Sequence, residues 1–406
     1  MQKDLKCIIL TDTYSTRMGY MSNILPIYLS KEKVEVHIIT LPFSPYHNIT
    51  NFKDTYGSFN KVEDLEINTK KKIKNSYFLH VNSTTKILGY FYMNDLRSKL
   101  KEIKPDIVYS LNAIGWIPIQ AALFKFLFKY KLFTGSHATI SSFPLAKEAQ
   151  NKKLQFYSKK IIRNFIIRYL PGRLVSWTTS KCFVPTIDCG EVAYKFYGVE
   201  KKKLELSPLG VDTNIFKPSK DDKYNESRKV IREKIGINND SILCIYTGRF
   251  SKEKNPLILA QAINLIRRDN LNYFALFIGD GIQKAEIINL EGNICLPFMD
   301  YHDLVSYYQA SDIGVWPTQE STSMLDAAAC GIPIIVNDTI VATERYIGNG
   351  LSYKLNKLDD LIKVLLKLSN KELRKKLGEV GAKKMSEDYS WHSLTKKRLQ
   401  IMKKYI

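Results

Sequence analysis

The sequence predicts an α/β protein of two Rossmann-like, doubly wound parallel-sheet domains separated by a cleft. Three features predict it. Apolar runs of strand length alternate with helical patterns along the whole chain, the alternation runs through twice, and a polar, proline-bearing seam lies between the two series. At 406 residues the chain is long enough for two or three domains. Its 45% hydrophobic and 25% charged residues exclude a disordered, collagen-like or disulfide-scaffold protein.

In the first series the strands read 5–12, 34–41, 76–82, 106–112, 132–137, 174–180 and 204–208. Helical patterns fall at 18–31, 85–103, 114–128 and 145–170. The Lys70–Lys74 run reads as a solvated loop. In the second series the strands read 241–248, 273–279, 293–297, 313–317, 332–337 and 350–353, with helices at 256–268, 301–309, 324–330, 359–368 and 371–385. The seam near 216–224 carries Pro218 among Lys and Asp. This gives an N-terminal domain over 1–216 and a C-terminal domain over 217–388.

Lys and Arg number 61 against 40 Asp and Glu, a formal net charge of +21. Residues 1–200 hold 29 of the basic and 15 of the acidic residues, so the excess is greatest there. Such a balance points to an anionic partner: a phosphate ligand, nucleic acid or a membrane face. No nucleic-acid recognition motif is present, and none is expected to bind. The six cysteines are scattered with no Cys-x-x-Cys, which reads as buried thiols in a reducing compartment. The N-terminus leads straight into a strand without a signal peptide, and no apolar run reaches the ~18 residues of a membrane span.

In open α/β sheets ligands bind beyond the carboxyl ends of the strands, so the residues that follow strands carry the chemistry. After the strand ending at Gly248 come Arg249, Lys254, Asn255 and Pro256. Arg249 offers a planar fork to phosphate oxygens and Lys254 a point charge. Asn255 suits a helix N-cap and Pro256 the first helical position. The same residues would also suit a surface loop with two solvated cations. After the strand ending at Pro317 come Glu320, Ser321, Thr322, Ser323 and Asp326, leading into a small-residue helix that stops before Gly331. Hydroxyls at a helix start suit an anion, and an acid beside them suits the hydroxyls of a ribose. Helix capping by Glu320 and compensation of the helix dipole by Asp326 is the alternative.

With Gly279-Asp280-Gly281 and the run 204–216, these motifs resemble the retaining glycosyltransferases of family four, with the GT-B fold, over nearly the whole chain and most strongly over 204–340. The resemblance implies a nucleoside diphosphate sugar donor held mainly by the C-terminal domain, retention of anomeric configuration, and no metal or other cofactor. Arg249 and Lys254 match the pair that holds the donor diphosphate. Gly279 and Gly281 match the family's glycine turn, and Phe298 and Met299 the loop that cradles the base. Asp326 matches the second glutamate of the Glu-x7-Glu motif, one methylene shorter. The first would fall at Thr318, so Glu320 implies a loop shortened by two residues, with its carboxylate serving the donor sugar. Gly19 stands in the loop after the first strand where the family carries paired glycines. His137 matches the histidine at the reaction centre, implied to contact and position a sugar hydroxyl. The last helix, 389–406, is implied to pack back on the first domain, with Trp391 in the core.

Residues 151–173 hold seven cations and no acid among Phe, Tyr, Ile and Leu, and 121–133 repeats the pattern. Either suits an anionic membrane surface, or a core-facing helix with a solvated basic face. The implied protein is a cytoplasmic glycosyltransferase, peripheral on the membrane, acting on a glycan or lipid-linked glycan in cell-surface polysaccharide biosynthesis. A catalytically silent nucleotide-sugar-binding subunit, or a nucleotide-sugar epimerase of the same fold, is the alternative. His37, His47, His80, His302 and His392 show no ligand spacing, so no metal site is assigned.

Overall fold

The computed structural model describes residues 5–12, 14, 19–42, 66–140, 142–150, 159–219 and 222–406. The apolar runs become strands buried on both faces, and these assemble into two compact units. Among the described residues, one unit takes those up to 209 together with 392–406, and the other takes 210–391.

The first unit is built on β1 (Leu5–Leu10), β2 (Val34–Thr40), β3 (Lys70–Ile73), β4 (Tyr77–Val81), β7 (Ile107–Ser110), β8 (Lys131–Gly135), β9 (Cys182–Val184) and β10 (Leu204–Leu206). Their order is β10-β9-β8-β7-β1-β2-β4-β3, parallel throughout except for β3. A separate hairpin pairs β5 (Thr84–Ile87) with β6 (Tyr90–Met93). Its helices are α1 (Met21–Lys31), α2 (Leu96–Ile103), α3 (Trp116–Phe128), α4 (Pro144–Gln150), α5 (Lys159–Asn164), α6 (Leu170–Thr178) and α7 (Ile187–Tyr197).

Four expectations are corrected here. Residues 174–180 are not a strand: 174–178 form the second half of α6, where Val175 is buried against α3 while Leu174 and Trp177 face solvent. The local composition favours a strand, and packing against a neighbouring helix overrides it. The strand itself is β9, further along. Residues 85–103 are helical only from Leu96; before it the chain turns back at Leu88-Gly89, both at positive φ, as a two-residue hairpin turn requires. The Lys70–Lys72 run is no loop but the exposed antiparallel edge of the sheet, where lysines discourage further strand pairing. The helix expected over 145–170 is divided: α4 ends at Gln150, residues 151–158 lie outside the described residues, and α5 runs into a π-helical turn over Phe165–Tyr169.

The second unit contains β11 (Ile242–Thr247), β12 (Tyr273–Ile278), β13 (Asn293–Leu296), β14 (Ile313–Trp316), β15 (Ile334–Asn337) and β16 (Gly350–Tyr353), all parallel. The order β13-β12-β11-β14-β15-β16 reverses between β11 and β14. Around the sheet lie α8 (Asp222–Lys234), absent from the sequence reading, α9 (Leu257–Arg268), α10 (Lys284–Ile288), α11 (Leu304–Ala310), α12 (Ser323–Ala329), α13 (Leu358–Lys367) and α14 (Lys371–Glu387). Val211 and Phe216 are fully buried in this unit's core, Phe216 edge-on to Tyr301 and Tyr308, which is why 210–216 divides with it. Val211 also exchanges main-chain bonds with Tyr389 and with the buried Trp391.

Helix α15 (Trp391–Lys403) supplies residues 392–403 of the first unit. There the buried Arg398 guanidinium donates to Ser207 Oγ at 2.7 and 3.0 Å, and Tyr405 packs edge-on against Phe133. The six cysteines are all free thiols, five of them buried.

A buried ion cluster ties α8 to the second sheet. Asp312 accepts from Arg228 at 2.7 Å, from Arg232 at 2.5 Å and from the Leu243 amide at 2.8 Å. Arg232, wholly buried, also donates to the carbonyls of Asn238, Asn239, Ser241 and Ala310. Removing it strands those acceptors and half of a buried carboxylate. Arg232→Ala is therefore expected to cost roughly 3–5 kcal/mol, against ~1 kcal/mol or less for a typical exposed pair such as Lys229–Glu233. Urea unfolding of Arg232→Ala beside Lys229→Ala checks this; equal midpoints would contradict it.

Candidate functional site

The strand reversal of the second unit brings the carboxyl ends of β11 and β14 side by side, and the loop following each carries the residues singled out in the sequence. Phe250, fully buried, anchors the first loop. Its amide donates to Asp280 O at 2.8 Å, and its carbonyl accepts from the Gln283 amide at 3.0 Å. Gly279 makes this contact possible. Its φ is +149°, and a Cβ there would stand 1.9 Å from Gly248 O; one at Gly281 would stand 2.7 Å from Phe250 O. The glycine turn thus seats one strand-end loop against another.

Between these anchors Arg249 is exposed, its carbonyl held by the Tyr246 hydroxyl at 2.8 Å. No carboxylate among the described residues pairs with its guanidinium. Lys254 lies in the turn that closes from Asn255 N to Ser251 O. Its Nζ donates to the main-chain carbonyl of Glu320 at 2.9 Å, across to the loop after β14. Burial, and then the nearby charge of Arg249, lowers its pKa to about 8. Asn255 does not cap α9 with its side chain: it sits at φ +45°, and Pro256 takes the N-cap place.

The loop after β14 is fastened at successive residues. Tyr353 Oη donates to Pro317 O at 3.0 Å, and Asn337 Nδ2 to Thr318 O at 2.8 Å. The Glu320 carboxylate pairs with Arg345 at 2.8 Å. Arg345, on a 3-10 turn over Thr343–Arg345, is buried, and its Nε has no partner among the described residues. Ser321 and Ser323 share a bond between hydroxyls at 3.2 Å, while Thr322 is exposed and makes no side-chain cap to α12. Behind them the Tyr308 hydroxyl meets Thr247 Oγ1 at 2.7 Å and also bonds Ser323, joining the end of β11 to the start of α12. Asp326 is buried on α12; desolvation first, and Asp212 second, pushes its carboxyl well above the usual carboxylate range.

The structure therefore brings together Arg249, Lys254, Glu320 and Ser321–Ser323, with Asp326 beneath and Gly279 and Gly281 bracing from the side. Phe298 and Met299 follow β13, half-buried, Met299 against the unit's core. His137 and Gly19 belong to the first unit. His137 follows β8 with an exposed ring whose Nε2 leans over Gly135. Exposure and desolvation pull apart here. Solvent reaches the ring, yet surrounding protein, and then the charge of Arg398, lowers its pKa to about 4; the imidazole is neutral at pH 7. Gly19 is half-buried, and the neighbouring 15–18 lie outside the described residues. Arg345 and Tyr308 were absent from the sequence reading. A buried arginine between Ile340 and Ile347 is the one signal that could have marked Arg345, and nothing local couples it to Glu320. Among the described residues no group of three or more His, Cys, Asp or Glu is placed to hold a metal ion.

Residues 227–384 match the family model described as glycosyl transferases group 1. The UDP-Gal:alpha-D-GlcNAc-diphosphoundecaprenol alpha-1,3-galactosyltransferase of Escherichia coli is 28% identical over 198 residues, 44% of this chain and 49% of that protein. The alpha-monoglucosyldiacylglycerol synthase of Acholeplasma laidlawii is 24% identical over 226 residues, 52% of this chain and 56% of that one. The chain spans about half the length of these two relatives. Among solved structures, sucrose-phosphate synthase of Thermosynechococcus elongatus aligns with a TM-score of 0.71 at 13% identity, covering 99% of each chain. That likeness is one of fold, the GT-B fold of two Rossmann-like domains.

The lowered pKa of Lys254 gives a prediction with a definite sign. Its ammonium is present below about pH 8 and lost above it, so pyrophosphate bound at this loop should weaken as pH rises from 7 to 9. Lys254→Met should remove that dependence. NMR of lysine labelled with 13C at Cε should show one side chain titrating near 8 that vanishes in the variant. A Lys254 midpoint close to the ordinary 10.5 would contradict the account.

Proposed function

We propose that this chain, whose residues 227–384 match the family model of glycosyl transferases group 1, is a retaining glycosyltransferase. It moves a hexosyl group from a nucleoside diphosphate sugar to a glycan or lipid-linked glycan in cell-surface polysaccharide biosynthesis. The observation that carries this reading is the strand reversal between β11 and β14, flanked by Arg249 and Lys254 on one loop and Glu320–Ser323 on the other. Nucleotides bind at such switch points in doubly wound sheets. Two neighbouring cations, one exposed and neither paired with a carboxylate, suit a diphosphate. A relative named for a UDP-galactose donor and a diphosphoundecaprenol acceptor, and another named as a synthase of monoglucosyldiacylglycerol, support a nucleotide-sugar donor and a lipid-linked acceptor.

In this reading Arg249 and Lys254 meet the negative charge that grows on the diphosphate as the glycosidic bond breaks. Gly279 and Gly281 hold the adjoining turn, and Phe298 and Met299 flank the base. Asp326, buried at the start of α12, meets the ribose hydroxyls. Arg345 fixes the Glu320 carboxylate toward the donor sugar. His137, neutral at pH 7, positions a sugar hydroxyl, and Gly19 lets the first-strand loop approach the phosphates. Attack from the face the leaving group departs, with the leaving phosphate taking the acceptor proton, retains the configuration. The charge is carried by protein cations, so transfer survives EDTA.

The same reading places the chain peripherally on the cytoplasmic face of a membrane. No helix among the described residues is long and apolar enough to cross one. Leu123, Phe126 and Leu127 on α3 and Leu174 and Trp177 on α6 are all exposed, and the Phe126 and Trp177 rings lie 6.3 Å apart. Lys129 and Arg173 border them. Exposed apolar residues edged by cations suit an anionic lipid surface.

The test is steady-state release of nucleoside diphosphate from UDP-glucose, UDP-galactose, GDP-mannose and ADP-glucose, with a membrane lipid extract as acceptor. Arg249→Ala is expected to lower kcat roughly 10²–10³-fold and to leave the melting curve in place, because the side chain is exposed. Near-normal kcat in the folded variant would move the diphosphate elsewhere. Tight nucleotide binding with no turnover would favour a silent binding subunit.

A further inference from the structure

We propose that a pocket in the first unit, apart from the donor loops, binds the phosphate-bearing headgroup of an anionic lipid. The pocket encloses about 490 Å³, within the range of small-ligand sites. Its walls come from the β5–β6 turn through Tyr90, from the start of α4 through Phe143, and from α5 and the π-helical turn through Arg163, Ile167 and Arg168.

The chemistry of the lining is one-sided. The Arg168 guanidinium lies over the Phe143 ring at 5.4 Å, donates from Nε to Tyr90 Oη at 3.0 Å, and reaches Asn164 Oδ1 at 3.4 Å. All three partners are neutral. Arg163 is exposed and enters no ion pair among the described residues. The pocket's one carboxylate, Glu148, is matched by Lys160 at 2.7 Å. Two guanidinia thus face the pocket with no anion to balance them, beside the apolar surfaces of Phe143 and Ile167. Guanidinium forks bind phosphate oxygens in pairs, and the apolar walls fit what a lipid phosphate carries.

The backbone holds this arrangement before any ligand arrives. Single π-turns inside helices are frequent at functional sites, and this one is wedged in place. A Cβ at Gly198 would stand 2.2 Å from Tyr169 O, and one at Gly172 1.9 Å from Tyr197 O, so two glycines let the turn seat against the end of α7. Asn164 Nδ2 adds a bond to Phe196 O at 3.0 Å. The same segment carries Ile162, Phe165, Ile166 and Leu170, all exposed, which gives an acyl chain leaving the pocket an apolar surface to follow. The site rests on the membrane part of the proposed function and is independent of sugar transfer.

The experiment titrates the full chain with dihexanoylphosphatidylglycerol below its micelle concentration, by calorimetry at 0.15 M NaCl. Dihexanoylphosphatidylcholine and inorganic phosphate are the comparison ligands. The phosphatidylglycerol should bind more tightly than either. Arg163→Ala with Arg168→Met should weaken it at least tenfold, and the exposed Arg163→Ala alone severalfold, with the thermal shift given by UDP unchanged. Equal binding of the two lipids, or no loss in the folded variants, would overturn the site. Inorganic phosphate binding as tightly as the lipid would overturn the lipid assignment. Monomeric lipid bound by a chain that ignores vesicles would uphold the site and remove the membrane reading, so the two failures are separable.

Discussion

The ammonium of Lys254 is held 2.9 Å from the main-chain carbonyl of Glu320, and the candidate site depends on that contact. It joins the loop after β11 to the loop after β14, the two strands at which the sheet order reverses. Lys254 donates to a main-chain carbonyl and forms no salt bridge with a carboxylate among the described residues. Because the Glu320 main chain is fixed, its carboxylate reaches the buried Arg345. Lowering the Lys254 pKa is the cost of this placement: a partly buried cation beside Arg249 is poised to gain from an anion that would desolvate it no further.

The rest of the second unit reads as support for that junction. Glycines at 279 and 281 remove the side chains that would separate the β12 loop from the β11 loop. Tyr308 links Thr247 to Ser323 from below, and Tyr353 and Asn337 hold the carbonyls of Pro317 and Thr318. At the amino ends of β11 and β14, Asp312 binds the Leu243 amide and two arginines of α8. The strands are thus fastened at both ends, and the groups aimed at a ligand need little reorganisation when it binds.

Much of this was legible in the sequence where the physics is local. Parallel strands covered on both faces are continuous apolar runs, so every strand of the second sheet could be read to within two residues at either end, and Arg249, Lys254 and Glu320 could be placed after strands. What depends on distant contacts was not legible. Leu174–Thr178 looks like a strand and becomes helix because Val175 packs on α3. Thr84–Met93 has the length and spacing of a helix start and becomes a hairpin because Leu88 and Gly89 accept positive φ. The Arg345–Glu320 pair spans 25 residues, and neither member announces the other. The Lys70–Lys72 run gives no local sign that Tyr77–Val81 lies waiting as its partner.

Hydrogen exchange of the full chain with and without UDP or GDP, resolved by peptide mass, tests the central claim most directly. The account predicts that whichever nucleotide binds slows exchange at 248–256, 279–283 and 317–326, the loops joined by Lys254, Gly279 and Glu320, and slows it less in Lys254→Met. A nucleotide that binds tightly while those segments exchange as before, with protection confined to residues 66–209, would contradict it.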